Sequence, residues 1–393
     1  MQNAQEPGRV RETFFYFLRL GCLGFGGPLA LVANIQKDLV IKRRWISEAE
    51  FSQTFALIKA MPGPVAFMTS VFMGRRHAGW RGGVVAAFAL NFPPFLLMVL
   101  FGIFYDRWRA YTGAQSFMNG MQAAALGVIL ASLKSLGFSH RKKAAFWLIA
   151  AIAAFGTFHN AAYEPFLIIG FGALTALIFQ LRENGKLPSY FRHLKLMIFP
   201  MGLGTLFLGQ FDWGKMGDLI WSCFKSGAFV FGSGLAIVPL MENDFVSRLH
   251  WLTHQEFMDA LAFGQITPGP VVITATFIGY KVLGLAGAIA GTLAIFAAAF
   301  FHMMTWFPRL VSRMQGWPWI PAFLTGAIGA VVGSIFATVI RLSLEWTHDP
   351  RQWIVQYSLI GLTLVASIWT RLPAWSLIPV GGILTWCLST FFF

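Results

Sequence analysis

Two motifs in this chain are built to interrupt helices, and each occurs twice. Gly24-Phe25-Gly26-Gly27-Pro28 is answered by Phe231-Gly232-Ser233-Gly234, and Pro62-Gly63-Pro64 by Pro268-Gly269-Pro270. Proline removes an N–H and clashes with the preceding turn, and glycine leaves helical geometry at little cost. A helix that starts at such a break presents free N–H groups and the positive end of its dipole, which together favour an anion. Charged and polar side chains lie close by in the sequence. Lys59 precedes Pro62 by three residues, and Gln265 holds the matching place before Pro268. Arg19 and Lys225 lie one to two turns before the glycine motifs, and Glu50 and Glu256 open the elements that end in Pro-Gly-Pro. A pair of cations near two helix breaks suits a dianion.

The residues expected to bind a substrate are therefore Arg19, Gly26, Gly27, Pro28, Lys59, Pro62, Gly63 and Pro64, with Lys225, Gly232, Ser233, Gly234, Gln265, Pro268, Gly269 and Pro270 in the second set. Backbone N–H groups around Gly26, Gly27, Gly63 and Gly269 are expected to hold anion oxygens. Glu50 and Glu256 are the candidates for ion coupling. Each group has a structural alternative: glycines for close helix packing, Arg19 and Lys225 for snorkelling, the two glutamates for capping. Trp45-Ile46-Ser47 and Trp251-Leu252-Thr253 read as an interfacial aromatic followed by a helix cap. Nothing in the sequence suggests an enzyme or a cofactor. There is no His-Glu-x-x-His and no phosphate-binding Gly-x-x-x-x-Gly-Lys-Ser/Thr, and Cys22, Cys223 and Cys387 have no pairing or metal-ligand spacing. His302, inside an apolar run, reads as a core histidine before a proton relay.

The elements that position these residues must lie in a bilayer. The chain has 393 residues, 56% hydrophobic and only 12% charged, against about 25% charged in a soluble domain. The mean hydropathy is +0.63. Runs at 83–104, 323–340 and 353–370 approach or reach the roughly 20 residues that span a membrane. The first apolar run follows a polar start and leads into further spans, so it reads as a mature helix rather than a secretory signal. The formal charge of +14 falls in short loops such as Lys42-Arg43-Arg44, Arg75-Arg76 and Arg141-Lys142-Lys143. Positive-inside topology and anionic lipid account for it, and nucleic acid is not an expected partner.

The two halves are copies of one another. An offset of 206 carries Phe25-Gly26 to Phe231-Gly232, Asp38 to Asp244, Trp45 to Trp251, Glu50-Phe51 to Glu256-Phe257 and Pro62-Gly63-Pro64 to Pro268-Gly269-Pro270. A one-residue slip matches Gly79 with Gly284. The expected domains are a repeat over 1–181, a linker over 182–218 whose apolar stretch 194–210 forms one further span, and a second repeat over 219–393. A single linker span inverts the second copy. Charge agrees: residues 37–50 balance to +1 and the matching 243–256 to −1. One conflict remains. With Arg75-Arg76 inside, Lys42-Arg43-Arg44 falls outside unless the Pro-Gly-Pro element is re-entrant. The expected fold is all-α and polytopic, two inverted-topology repeats with broken or re-entrant helices and about 10–13 membrane segments. Such a pair favours alternating access, and hence a secondary transporter.

Phe25-Gly26-Gly27-Pro28, then Trp45-Ile46-Ser47-Glu48-Ala49-Glu50-Phe51, then Pro62-Gly63-Pro64, resemble the chromate ion transporter family in its long, two-domain form. The resemblance runs through both halves. It implies homologous halves lying antiparallel in the inner membrane, export of chromate driven by an ion gradient, and chromate resistance. Sulfate, alike in shape and charge, is a second substrate or competitor. The implied partners are the oxyanion, a coupling proton or sodium ion and the lipid bilayer, with a homodimer left open. The chain departs from the family at Lys59, where a neutral polar residue such as Gln is common, and at Gly234, which stands where the first copy has Pro28. The alternative readings are a transporter of sulfate or another small anion, and a membrane enzyme or assembly factor.

Overall fold

The computed structural model describes residues 7–138, 143–184, 214–231, 234–309, 317–345, 350–370 and 372–392. The expected span at 194–210, the basic Arg141 and Lys142, and Gly232 and Ser233 lie outside them. Every regular element among the described residues is helical. The first half holds α1 (Pro7–Leu23), α2 (Gly27–Ile35) continued by a π-turn (Gln36–Lys42), α3 (Glu48–Ala60), α4 (Val65–Arg109), α5 (Thr112–Gly137), α6 (Ala144–His159) and α7 (Glu164–Asn184). The second holds α8 (Gly214–Ala228), α9 (Ile237–Glu242) continued by a π-turn (Asn243–Arg248), α10 (His254–Ile266), α11 (Thr274–Met304), α12 (Trp319–Leu344), α13 (Pro350–Trp369) and α14 (Ala374–Phe392). Six described stretches are long and apolar enough to cross a membrane: Val65–Arg109, Gly113–Lys134, Ala161–Glu183, Val271–Arg309, Trp319–Leu344 and Gln352–Trp369. This is a polytopic all-α membrane protein.

α4 is not one rod. At Ala78 and Gly79 the backbone leaves helical geometry, and Gly79 takes φ +66°, a conformation that costs a Cβ-bearing residue dearly. The turn is sharp enough that Gly74 and Gly82, about 12 Å apart along a straight helix, lie in contact, each against the other's carbonyl oxygen. α11 repeats the device at Leu283 and Gly284, with Gly279 against Gly287. Each long element is therefore a short arm followed by a crossing arm.

The short arms form hairpins that do not cross. α3 has 13 residues, a rise of about 20 Å, against a hydrocarbon core of about 30 Å. Its start and the far end of the 65–77 arm are tied by Arg76 Nε to Glu50 Oε1 at 2.9 Å. The hairpin of α1 and α2 closes on the same face. Glu12 accepts from Arg43 at 2.7 Å and lies 3.1 Å from His77, whose ring stacks on Trp45 at 3.7 Å. Lys42-Arg43-Arg44 and Arg75-Arg76 thus share one face, called A, because the element between them returns. The conflict in the loop charges disappears.

In the second copy the matching ion pair lies at a different end of the molecule. Lys281 and Glu256 occupy the places of Arg76 and Glu50 and lie 3.5 Å apart. They sit at the far end of the 80–109 arm: Lys281 pairs with Asp106 at 2.6 Å, and Arg109 lies 3.9 Å from Glu256. That arm rises about 45 Å, so this end is a different face, called B. The crossing arm of α11 runs back to face A, where Arg75 Nη1 donates to the Met303 carbonyl oxygen at 3.0 Å. The short arm of α4 packs on the crossing arm of α11, with Phe67 and Phe296 rings 4.5 Å apart.

The outer helices are exchanged between copies. α5 packs on α13 and α14, and its second-half counterpart α12 packs on α6 and α7. Small residues permit both contacts: Gly382 lies under Phe117, and Gly172 under Phe323.

Candidate functional site

All four hairpin tips converge between the crossing arms. The Gly63 N–H donates to the carbonyl oxygen of Val230 at 2.7 Å, and the Gly269 N–H donates to that of Gly24 at 3.0 Å. Each Pro-Gly-Pro turn is thus joined to the glycine motif of the opposite copy, and the two bonds are equivalent under the internal repeat. Both turns need their glycine. Gly63 has φ +133° and Gly269 φ +95°. A Cβ on Gly63 would sit 2.8 Å from the Ala299 Cβ, and one on Gly269 would sit 3.1 Å from Pro94 Cγ. The first glycine motif meets its counterpart too, since a Cβ on Gly234 would lie 4.0 Å from Pro28 Cγ.

These bonds correct one expectation. The N–H groups of Gly63 and Gly269 are already used and do not await an anion. The donors left at the first tip are those of the opening turn of α4, at Val65, Ala66 and Phe67, which have no intrahelical acceptor and are buried.

The side chains divide into two groups. Lys59 is exposed, with Nζ 4.7 Å above the Phe55 ring and no ion pair among the described residues. Gln265, its counterpart, holds a buried Nε2 with no hydrogen-bond partner. Matched positions beside the two Pro-Gly-Pro turns therefore both present unpaired donors. Gly26 is exposed and Gly27 and Pro28 are half-buried, whereas Pro62, Gly63, Pro64, Gly234, Pro268, Gly269 and Pro270 are buried.

The other group is engaged elsewhere. Arg19 lines a surface pocket with Asn34, Asp38, Lys42 and Arg43. Lys225 donates to the buried Asp244 at 2.8 Å. Glu50 follows the N-cap Ser47, whose hydroxyl accepts from the Glu50 N–H, and pairs with Arg76. Glu256 completes a capping box with Thr253 and pairs with Lys281. The two glutamates thus serve as ion-pair residues at faces A and B, at the roots of the hairpins, and Glu256 also as a cap residue. His302 accepts from Trp306 Nε1 at 3.1 Å, as a core histidine does.

Sequence reasoning passed over Asp259. It is 2% exposed, and its carboxylate accepts from Tyr105 Oη at 2.6 Å and from Gln122 Nε2 at 2.8 Å. The signal was present, because an acid inside the apolar run 257–263 is costly unless partnered.

Over residues 11–177 and 217–386, the two copies, the chain matches the chromate transporter family. It belongs to that family. A probable chromate transport protein of Synechococcus elongatus is 34% identical over 96% of both chains. The chromate transport protein of Cupriavidus metallidurans is 34% identical, over 91% of this chain and 87% of its own. That of Pseudomonas aeruginosa is 30% identical, over 94% and 88%. No solved structure matches. As a member of this family the chain is a transporter rather than an enzyme, a multi-pass membrane protein with an anion as substrate.

Proposed function

We propose that this transporter is a secondary active exporter of chromate, with sulfate as competitor, working by alternating access in the inner membrane between two inverted repeats joined by a linker span. One observation carries the reading. Along α3, Ser52, Gln53, Ala56 and Lys59 form an exposed stripe from face A to the tip. Their counterparts on α10, Met258, Asp259 and Ala262, are buried and Gln265 half-buried, because α10 packs along α5 and α14. A polar stripe at membrane depth belongs against water. The path is thus open from face A and shut from face B, the asymmetry expected of one state in an alternating pair. Face A carries Lys37, Lys42, Arg43, Arg44, Arg75 and Arg76, so it is the cytoplasmic side.

In this reading the oxyanion meets the Lys59 ammonium, the Gln265 amide and the first-turn N–H groups of α4 at the tips. Gly26, Gly27 and Pro28 line the open side. The relatives named as chromate transport proteins support chromate as the substrate. The coupling ion is a proton or sodium. The test is radiolabelled chromate and sulfate flux in proteoliposomes under imposed proton and sodium gradients. Lys59→Ala and Gly63→Leu are each expected to lower chromate flux at least tenfold, about 1.4 kcal/mol or more of lost stabilisation, with normal insertion. Undiminished flux in both variants refutes the assignment of the site.

A further inference from the structure

Asp259 stands where α10 closes face B, and its partners come from the other copy. Tyr105 lies on the crossing arm of α4 and Gln122 on α5. Arg109 Nη1 donates to Tyr105 Oη at 3.2 Å, so the Tyr105 proton is free to point at Asp259. Both carboxylate oxygens then accept, an arrangement that favours the anion. Protonating either oxygen sets an O–H against a donor.

The surrounding charges are otherwise matched. Glu256, one turn earlier on α10, lies 3.5 Å from Lys281 and 3.9 Å from Arg109. Lys281 also pairs with Asp106 at 2.6 Å, and Glu242 of α9 is paired with Arg341. α14 carries only Cys387 as a titratable side chain, and the turn Val271–Ile273 carries none. In the first copy the matching residue is Gln53, exposed and unable to titrate. At this matched position of α3 and α10, among the described residues, the second copy holds a proton acceptor and the first does not.

We propose that Asp259 binds the coupling proton, and that its charged form, latched by Tyr105 and Gln122, keeps face B shut. This rests on the transport reading above. As the α10 hairpin leaves α5, Asp259 loses Gln122 and meets water on face B. A proton from that water binds a carboxylate oxygen, and the neutral acid keeps the latch open until the hairpin docks again. The returning Tyr105 and Gln122 donors then displace the proton toward the hairpin tips and the water open to face A, so one proton passes from face B to face A in each return. By linkage, protons on face B favour opening toward face B.

The test uses the full chain in proteoliposomes with radiolabelled chromate and two assays. One is exchange at equal pH on both sides, and the other is accumulation against a chromate gradient under an imposed pH gradient. Asp259→Asn mimics the protonated acid. It is expected to retain exchange, now insensitive to pH, and to lose accumulation at least tenfold. Gln122→Ala and Tyr105→Phe each remove a donor to the anion, so each is expected to shift the pH profile of accumulation about one unit upward. Wild-type accumulation by Asp259→Asn overturns the proposal, as does accumulation that follows sodium alone. If Asp259→Asn does not insert, the profiles of the other two decide, and two unmoved profiles overturn it. A wild-type protein that moves neither chromate nor sulfate in either assay instead refutes the transport reading.

Discussion

The hairpin ending at Pro62-Gly63-Pro64 and the one ending at Pro268-Gly269-Pro270 share nearly every local device and differ in what surrounds them. Both are capped by a hydroxyl, at Ser47 and Thr253. Both give their glycine N–H to the opposite copy, and both are followed by a kink at Gly79 or Gly284. Around the second, however, Lys225 and Asp244 form an ion pair with the Asp244 side chain 0% exposed. At the matching place in the first, Asp38 is 37% exposed and pairs with Lys42 within one helical turn, while Arg19 stands apart. The polar stripe of α3 is open and that of α10 is covered. The repeat therefore encodes the hairpin, and docking against the outer helices decides whether its side of the molecule is open.

The comparison breaks most visibly at the two ion pairs. Asp244→Asn removes the buried carboxylate that Lys225 and Arg248 share, and losing one partner of a buried pair costs about 3–5 kcal/mol. Asp38→Asn removes an exposed pair worth at most about 1 kcal/mol. Thermal unfolding in detergent is expected to rank them in that order, and equal losses would mean that the two sides are equally packed. The stripes supply the next test. In a background without Cys22, Cys223 and Cys387, Ala56→Cys is expected to react with a membrane-impermeant thiol reagent from face A at least tenfold faster than Ala262→Cys reacts from face B, a difference of about 1.4 kcal/mol or more. Equal rates would remove the asymmetry on which the open state rests. The smallest effect concerns the caps. Ser47→Ala and Thr253→Ala each cost about 1 kcal/mol. The larger loss is expected at Thr253, because Glu256 returns a bond to the Thr253 N–H only in that copy.

Much of the site was legible because its signals are local. Pro62-Gly63-Pro64 and its repeat disrupt a helix wherever they occur, so the breaks needed no tertiary information. The same holds for the caps and for the duplication. Gln265 was found as the counterpart of Lys59 in the repeat, and Lys59 by the cost of charge at membrane depth. Lys225 was found in the same way, but whether a buried cation serves a substrate or a neighbouring acid depends on Asp244, which is near only after folding. The Gly63 and Gly269 N–H groups were expected to wait for an anion, and only the fold shows that Val230 and Gly24 accept from them.

The amino-acid sequence by itself determined the membrane environment, the two copies, the four breaks and the family, since each follows from composition, spacing or backbone preference along a few consecutive residues. Only the tertiary structure decided that the hairpins return to the face they left, that α5 and α12 are exchanged between the copies, and that Asp259 meets Tyr105 and Gln122. The first depends on pairs 26, 31 and 65 positions apart, and the Asp259 contacts on pairs 154 and 137 positions apart. A repeat offers each such pairing two equivalent partners, and packing alone chooses between them.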